Sequence, residues 1–288
     1  MSFFDYRRVV NKLEVGLGGG SLFQFANRAG AQMMSYLIET PEGRLVMIDS
    51  GHPEEEDALY MLEEIKRHGG EVDMWFITHA HSDHFGGLLW LLEHGKAAEI
   101  RIKELRYSFP ALEWLNRLEK GEADLVRRFY DSVTRANLTV KSLEKGMVFP
   151  CGGMTFEILN SCERYEGFPQ INDTSIVILA QFPKRPVLFL GDLAVDGGRR
   201  LLQEVDPRKL RCDIVQMAHH GQNGVERAFY EVVQPKVCLY TAPDWLWDCD
   251  NGSGPGSGPW ATLTTRRWME ELGALVSCPH AYGDYLLV

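Results

Sequence analysis

The chain has 288 residues, 45% hydrophobic and 24% charged, an ordinary globular composition with ample length for a sizeable core. A formal net charge of −10 disfavours nucleic-acid binding by bulk electrostatics, while leaving room for a local basic patch. No apolar run approaches the ~18 residues of a membrane span, Met1 to Val10 has no apolar leader core, and the six cysteines (Cys151, Cys162, Cys212, Cys238, Cys249, Cys278) show no CxxC pairing, so a cytoplasmic protein with free, mostly buried thiols is expected.

Residues 9–15 read as a first strand and Gly16 to Ser21 as a glycine-rich loop. The loop lacks the Lys-Ser/Thr of a P-loop and no clear helix follows, so a flexible segment near a site rim is favoured over a phosphate cradle. Gln32 to Glu39 and Arg44 to Ile48 flank the turn Pro41-Glu42-Gly43 and make a hairpin. The second strand ends in Asp49-Ser50-Gly51. Asp49 can fix a neighbouring ligand loop by accepting hydrogen bonds, or form a turn or cap before the acidic run Glu54 to Asp57. That run suits the first turn of a helix continuing over Ala58 to His68.

The strand Val72 to Ile77 runs into Thr78-His79-Ala80-His81-Ser82-Asp83-His84, followed by Gly86-Gly87 and an apolar helix over Leu88 to Leu92. His79 and His81 are two apart, so an extended backbone points both to one side and they can grip one ion. Asp83 and His84 come after the chain begins to turn and can aim at a second position. Imidazoles with a carboxylate suit zinc, and a catalytic zinc site keeps a position open for water.

Ile100 to Tyr107 reads as a strand, and Ala111 to Thr134 as helical with a break at Gly121. Its arginines read as a solvated face over an apolar stripe rather than a cradle for an anion. Leu138 to Leu143 and Met154 to Leu159 are strands around Gly152-Gly153. Asn172-Asp173-Thr174-Ser175 precedes the strand Ile176 to Leu179; Asn172 and Asp173 either make a turn or reach a metal through water. Val187 to Leu190 ends in Gly191-Asp192, whose carboxylate can serve two cations or cap a helix over Gly198 to Val205. The strand Asp213 to Ala218 runs into His219-His220-Gly221, and Val237 to Thr241 is a further strand. Asn251 to Pro259 reads as a mobile flap, with nearby aromatics lining a pocket or pinning it. A helix over Leu263 to Leu272 and a closing strand over Tyr285 to Val288 complete the chain. With no linker-like stretch or repeat, residues 1–288 read as one domain.

His79-x-His81-x-Asp83-His84 resembles the signature of the metallo-β-lactamase superfamily of metallohydrolases, and Asp49, Asp192 and His220 follow the order of its other motifs. The resemblance implies an α/β protein, a four-layer αββα sandwich with a dinuclear centre on the rim of its two sheets. It implies metal one on His79 and His81, metal two on Asp83, His84 and His220, Asp192 as the bridge, and Asp49 as orienter of the ligand loop. Two zinc ions are implied, with manganese as the alternative, and hydrolysis by a water or hydroxide held between them. Asp83 and His219 would share in catalysis, His219 at the substrate's oxygen; similarity to the phosphorylcholine esterases sets that order of His219 and His220.

One departure stands out. No histidine occurs between His94 and His219, where most of the superfamily supplies another ligand. Asn172-Asp173-x-Ser175 resembles the branch with the competence DNA-uptake nuclease domain and the phosphorylcholine esterases, which also lacks it. An asymmetric centre is therefore expected, with the second metal held better. That branch implies a phosphodiester or phosphonate-type substrate, with Asn172, Asp173, His280 and Tyr282 near the metals or the substrate. The alternatives are hydrolysis of a lactone, thioester or amide, and a metal-binding sensor without catalysis. Oxygen-reducing iron members carry glutamate in place of the second histidine, so His81 points to hydrolysis. The expected partner is a small-molecule or phosphodiester substrate, with nucleic acid not favoured by the net charge and no membrane.

Overall fold

A computed structural model describes residues 10–162 and 165–288; the N-terminal reading over Met1 to Val9, including the start of the first strand, lies outside them. The strands are β1 (Val10–Leu13), β2 (Ser21–Gln24), β3 (Ser35–Glu39), β4 (Leu45–Asp49), β5 (Glu71–Ile77), β6 (Arg101–Ile102), β7 (Leu105–Tyr107) and β8 (Val140–Lys141). They continue as β9 (Val148–Cys151), β10 (Met154–Asn160), β11 (Val177–Gln181), β12 (Pro186–Phe189), β13 (Ile214–Gln216), β14 (Val237–Tyr240), β15 (Val276–Pro279) and β16 (Asp284–Leu287). The helices are α1 (Glu55–Arg67), α2 (Ser82–Glu93), α3 (Leu112–Leu118), α4 (Lys120–Arg135), α5 (Val195–Glu204), α6 (Pro207–Leu210), α7 (Arg227–Val233), α8 (Asp244–Trp247) and α9 (Thr262–Glu271).

One sheet runs β1-β16-β2-β3-β4-β5-β7-β8, with β6 also on β5, and the other runs β15-β14-β13-β12-β11-β10-β9. Strand alternation assigns the layers. In β5, Met74 and Phe76 join the core between the sheets, while Trp75 and Ile77 join the core under α1, α2 and α4. In β12, Val187 and Phe189 face the other sheet, and Leu188 packs toward α5 and α7. Both sheets are thus apolar on two faces, which explains why their central strands read as unbroken hydrophobic runs. The layers are helix, sheet, sheet, helix, the expected αββα sandwich.

The central strands β4 and β5 run parallel to each other, as do β12, β13 and β14, and all five end at the same edge of the sandwich, where the loops are free to carry chemistry. Two expectations change here. The glycine-rich loop before β2 lies at the opposite edge: Ser21 pairs with Glu39 and Gln24 with Tyr36, while Ser35 pairs with Asp49. The rim segment is instead the chain after β2, which has no strong periodicity. The break in the long helical region falls at Glu119, in extended conformation between α3 and α4, and not at Gly121.

The Gly86-Gly87 pair sits inside α2, where the helix meets the loop after β4. A Cβ on Gly87 would lie 2.0 Å from the Ser50 carbonyl oxygen, and one on Gly86 would lie 2.3 Å from Pro53 Cδ. Gly87→Ala must push α2 off this loop. The expected cost is about 1–3 kcal/mol, the range for overpacking, read as a lower urea midpoint with an unchanged slope.

Candidate metal centre

The His79-to-His84 run leaves β5 and turns into the first turn of α2 at Ser82, so the two halves of the motif ride on different backbone. His79 and His81 come off extended chain. Their Nε2 and Nδ1 atoms lie 3.1 Å apart. Asp83 and His84 come off the helix start, and meet Asp192 from the turn after β12 and His220 from the turn after β13. Two sets of ligand atoms result, each within 4.8 Å: Asp83, His84, Asp192 and His220; and His79, His81 and Asp192. Asp192 is common to both.

The spacing of these atoms leaves room for shared ions. Donors around a tetrahedral zinc with bonds near 2.0–2.1 Å stand about 3.3 Å apart. Here His84 Nε2 is 3.2 Å from Asp192 Oδ1, His220 Nε2 is 2.9 Å from Asp83 Oδ2 and 3.4 Å from Asp192 Oδ2, and His79 Nε2 is 4.0 Å from Asp192 Oδ2. His84 Nε2 and Asp192 Oδ1 are both buried without a hydrogen-bond partner, close together yet not aligned for a bond. A buried lone pair without a donor is costly, and a shared cation would satisfy both.

The outer ring nitrogens are held in ways that fix which nitrogen faces inward. Asp49 Oδ2 is 2.8 Å from His84 Nδ1, and Asp49 also accepts from Thr78 N at 2.7 Å and Thr78 Oγ1 at 2.8 Å. It does not cap α1, whose first-cap position is Glu54. Thr241 Oγ1 is 2.8 Å from His220 Nδ1. The Gly191-Asp192 turn is held by Gln216, whose Oε1 accepts from Leu190 N and Gly191 N at 2.7 Å, and by Ser175 Oγ, which accepts from Asp192 N at 3.1 Å.

The buried charges set one another. Burial pushes His84 down, but Asp192, Asp49 and Asp83 outweigh it and hold its pKa well above the ordinary histidine value. The same contest, decided by Asp192 and Asp83, leaves His220 at about 9. Burial raises Asp192, yet His220, His84 and His219 bring it well below the carboxylate range. His79, buried and next to His84, is held well below.

A cavity of 420 Å³ opens over the cluster, lined by His81, Asp83, Asp192, His219, Glu119, Glu122, Gln32, His52 and Trp245 among others. His219 stands at its wall, 3.7 Å from Asp192 Oδ2 and outside both ligand sets. Asn172 Nδ2 approaches His219 Nε2 at 3.4 Å, which places Asn172 beside the centre. Asp173 does not join it: its Oδ1 accepts from Gly197 N at the start of α5. His280 and Tyr282 do not line the cavity either. His280 is buried, and the Tyr282 hydroxyl accepts from Trp247 Nε1 at 3.3 Å. The aromatics after β14 divide both roles: Trp245 lines the cavity, donates to Gly30 O and packs at a tilt against Trp260 with centroids 4.8 Å apart.

Sequence reasoning missed Glu119, Glu122, His52 and Gln32. Glu119 and Glu122 fall in a helical stretch whose charges read as solvated, and only the three-residue interval between them, one helical turn, hinted at a shared face.

The family model for the metallo-beta-lactamase superfamily matches residues 30–231. The chain belongs to this superfamily. A curated relative is the ComE operon protein 3 of Bacillus subtilis, 24% identical over 173 residues, which are 60% of this chain and 20% of that protein. The chain thus spans about a fifth of that relative's length. The metallo-beta-lactamase fold protein YhfI of Bacillus subtilis superposes with a TM-score of 0.55 at 11% identity, over 93% of this chain and 99% of that one. Unliganded yeast PDE1 gives 0.54 at 11%, over 92% and 99%. Both superpose on this chain over nearly their whole length. Members typically bind divalent metals, often two, and this chain carries the His/Asp cluster for them.

Metal uptake must displace protons from His84 and His220, because an imidazole ligates only when neutral. With His220 at about 9, apparent affinity should strengthen as pH rises toward that value. Zinc calorimetry at pH 7 should give a heat that varies with the buffer's ionisation enthalpy. A heat independent of buffer would show that these imidazoles are already neutral or do not bind.

Proposed function

We propose that the protein is a metal-dependent hydrolase acting on phosphodiester or phosphonate-type substrates, with zinc as the metal and manganese as the alternative. The observation that carries this reading is the pair of ligand sets sharing Asp192 under an open cavity. Bound there, two divalent cations would supply an acidified water as nucleophile and a Lewis-acid hold on the substrate's oxygen. His79, His81 and Asp192 would hold one, and Asp83, His84, Asp192 and His220 the other.

The chain's own residues supply the rest. His219, kept below the ordinary histidine value chiefly by burial, has Nδ1 against the Asn223 carbonyl and takes Asn172 Nδ2–H at Nε2, so its neutral ring carries the proton on Nδ1 and offers Nε2 as a proton acceptor at the cavity wall. Asn172 beside it can orient that ring. Among the described residues, no lysine or arginine lines the cavity, so an anionic group would be held at the metal centre and not by a basic wall. That wall and the net charge favour a small ester over a long nucleic acid. The branch resemblance through Asn172 to Ser175 supports phosphorus esters over lactones, thioesters or amides. No Ser or Cys nucleophile is required. Among the described residues, no helix is long and apolar enough to cross a membrane; we place the protein in the cytoplasm.

After chelation the protein should not hydrolyse bis(p-nitrophenyl) phosphate, and added Zn²⁺ or Mn²⁺ should restore turnover. Asp192→Ala should abolish it. Turnover that survives both chelation and this substitution would sink the mechanism. Stoichiometric metal without turnover across phosphodiester, lactone, thioester and amide panels would favour the sensor reading instead.

A further inference from the structure

The His79–His81–Asp192 set has three protein ligands, one of them shared, and the chain lacks the usual extra histidine. Such a set depends strongly on how well each ligand is pre-positioned. His79 is fully buried and held by its surroundings. His81 is not: it sits on the rim with its ring edge facing the cavity.

Glu119 and Glu122 reach across from the start of α4. Glu119 occupies the first-cap position of α4 but makes no cap bond with its side chain. It turns outward, and its Oε1 lies 3.3 Å from His81 Nε2. One turn later, Glu122 accepts from Ser82 N at 2.9 Å and from Ser82 Oγ at 3.0 Å. Two carboxylates, one from the residue that precedes α4 and one from its first turn, therefore grip consecutive residues of the ligand loop. The apolar face of α4 fixes their reach: Ala123, Val126, Phe129 and Val133 are buried, and Phe129 packs at a tilt against Phe85 of α2 with centroids 5.1 Å apart.

The ring geometry decides what Glu119 can do. His81 Nδ1 faces His79 Nε2, so Nδ1 is the ligating atom. Glu119 holds the opposite nitrogen and is too far round the ring to be a ligand itself. A carboxylate there keeps the proton on Nε2, leaves the lone pair on Nδ1, fixes the ring rotamer and increases the donor strength of the imidazole.

We propose that Glu119 is a positioning residue that sets the metal affinity of the His79–His81–Asp192 site, with Glu122 bracing the same loop through Ser82. It makes up for the missing histidine by improving a ligand that is present. This inference rests on the metal-centre reading above.

The test is a zinc titration of the chelated full-length protein against a chromophoric competitor, with metal counted by elemental analysis and Co²⁺ absorption read in parallel. Wild type should take two equivalents in a tighter and a weaker class. Glu119→Ala should weaken the weaker class about 10–100-fold, the usual effect of removing such a partner, and leave the tighter class within about threefold. Glu119→Gln, which still accepts from Nε2–H and keeps the side-chain shape, should fall between, and the Co²⁺ bands of the weaker class alone should shift. Unchanged affinities in both variants overturn the proposal. So does equal loss from both classes in the Gln variant, or loss in the Ala variant that follows thermal unfolding while the Gln variant behaves as wild type. A wild type that takes up no zinc or Co²⁺ would instead overturn the metal-centre reading.

Discussion

The carboxylate of Asp49 is the contact on which the rest of the centre depends. It is fully buried and bound by Thr78 N, Thr78 Oγ1 and His84 Nδ1. Its own carbonyl accepts from Trp75 Nε1 at 3.1 Å. One side chain thus ties the end of β4 to the end of β5 and to the first turn of α2. Leaving a buried charge of this kind without a partner costs about 3–5 kcal/mol, so the three elements are locked to one another. With Nδ1 of His84 engaged, only Nε2 is free to face Asp192.

The edge of the sandwich accepts backbone strain to bring its side chains inward. Asp49, His219 and His220 all lie in the left-handed region, with φ of 58°, 51° and 56°. Such residues cost of order 1–3 kcal/mol each and persist where the surroundings over-determine them. Here His219 N donates to Gly191 O and Gln222 N to His219 O, while Gly221 presses against the Tyr240 ring, where a Cβ would come within 2.1 Å. The Gln216 amide uses both ends on neighbouring turns: its nitrogen donates to Gly191 O and Met217 O, and its oxygen accepts from Leu190 N and Gly191 N. Packing from the sheets beneath and these hydrogen bonds hold the turns.

The two halves of the centre differ in how they are built. Asp83, His84, Asp192 and His220 are drawn from three turns and stabilised by mutual charge, with imidazolium and carboxylate each shifting the other. His79 and His81 share one strand end with fewer partners, and their outer support comes from α4. The asymmetry expected from the absent histidine therefore has a structural counterpart in the number of ligands and in where each is braced.

The local features were readable because their cause is local. Strand alternation, the turn at Pro41 to Gly43, the strand-end positions of Asp49, Asp192 and His219-His220, and the spacing of His79, His81, Asp83 and His84 all follow from short-range geometry, and their order along the chain matched a known fold. What short-range pattern cannot specify is which distant surface meets the site. The short β2 has little periodicity to detect, and the glycine loop before it had nothing in its sequence to say which edge it occupied. Asp173 and Tyr282 had the chemistry of site residues but went to other contacts. Glu119, 38 residues from His81, looked like surface charge until the break between α3 and α4 aimed it at the ring. The sequence by itself determined the family and the layers, and placed the candidate histidines and aspartates at strand ends, since those features depend on residue type, motif order and strand position. Only the tertiary structure decided the rim and the bracing of His81, because these come from how helices pack across the ends of the sheets.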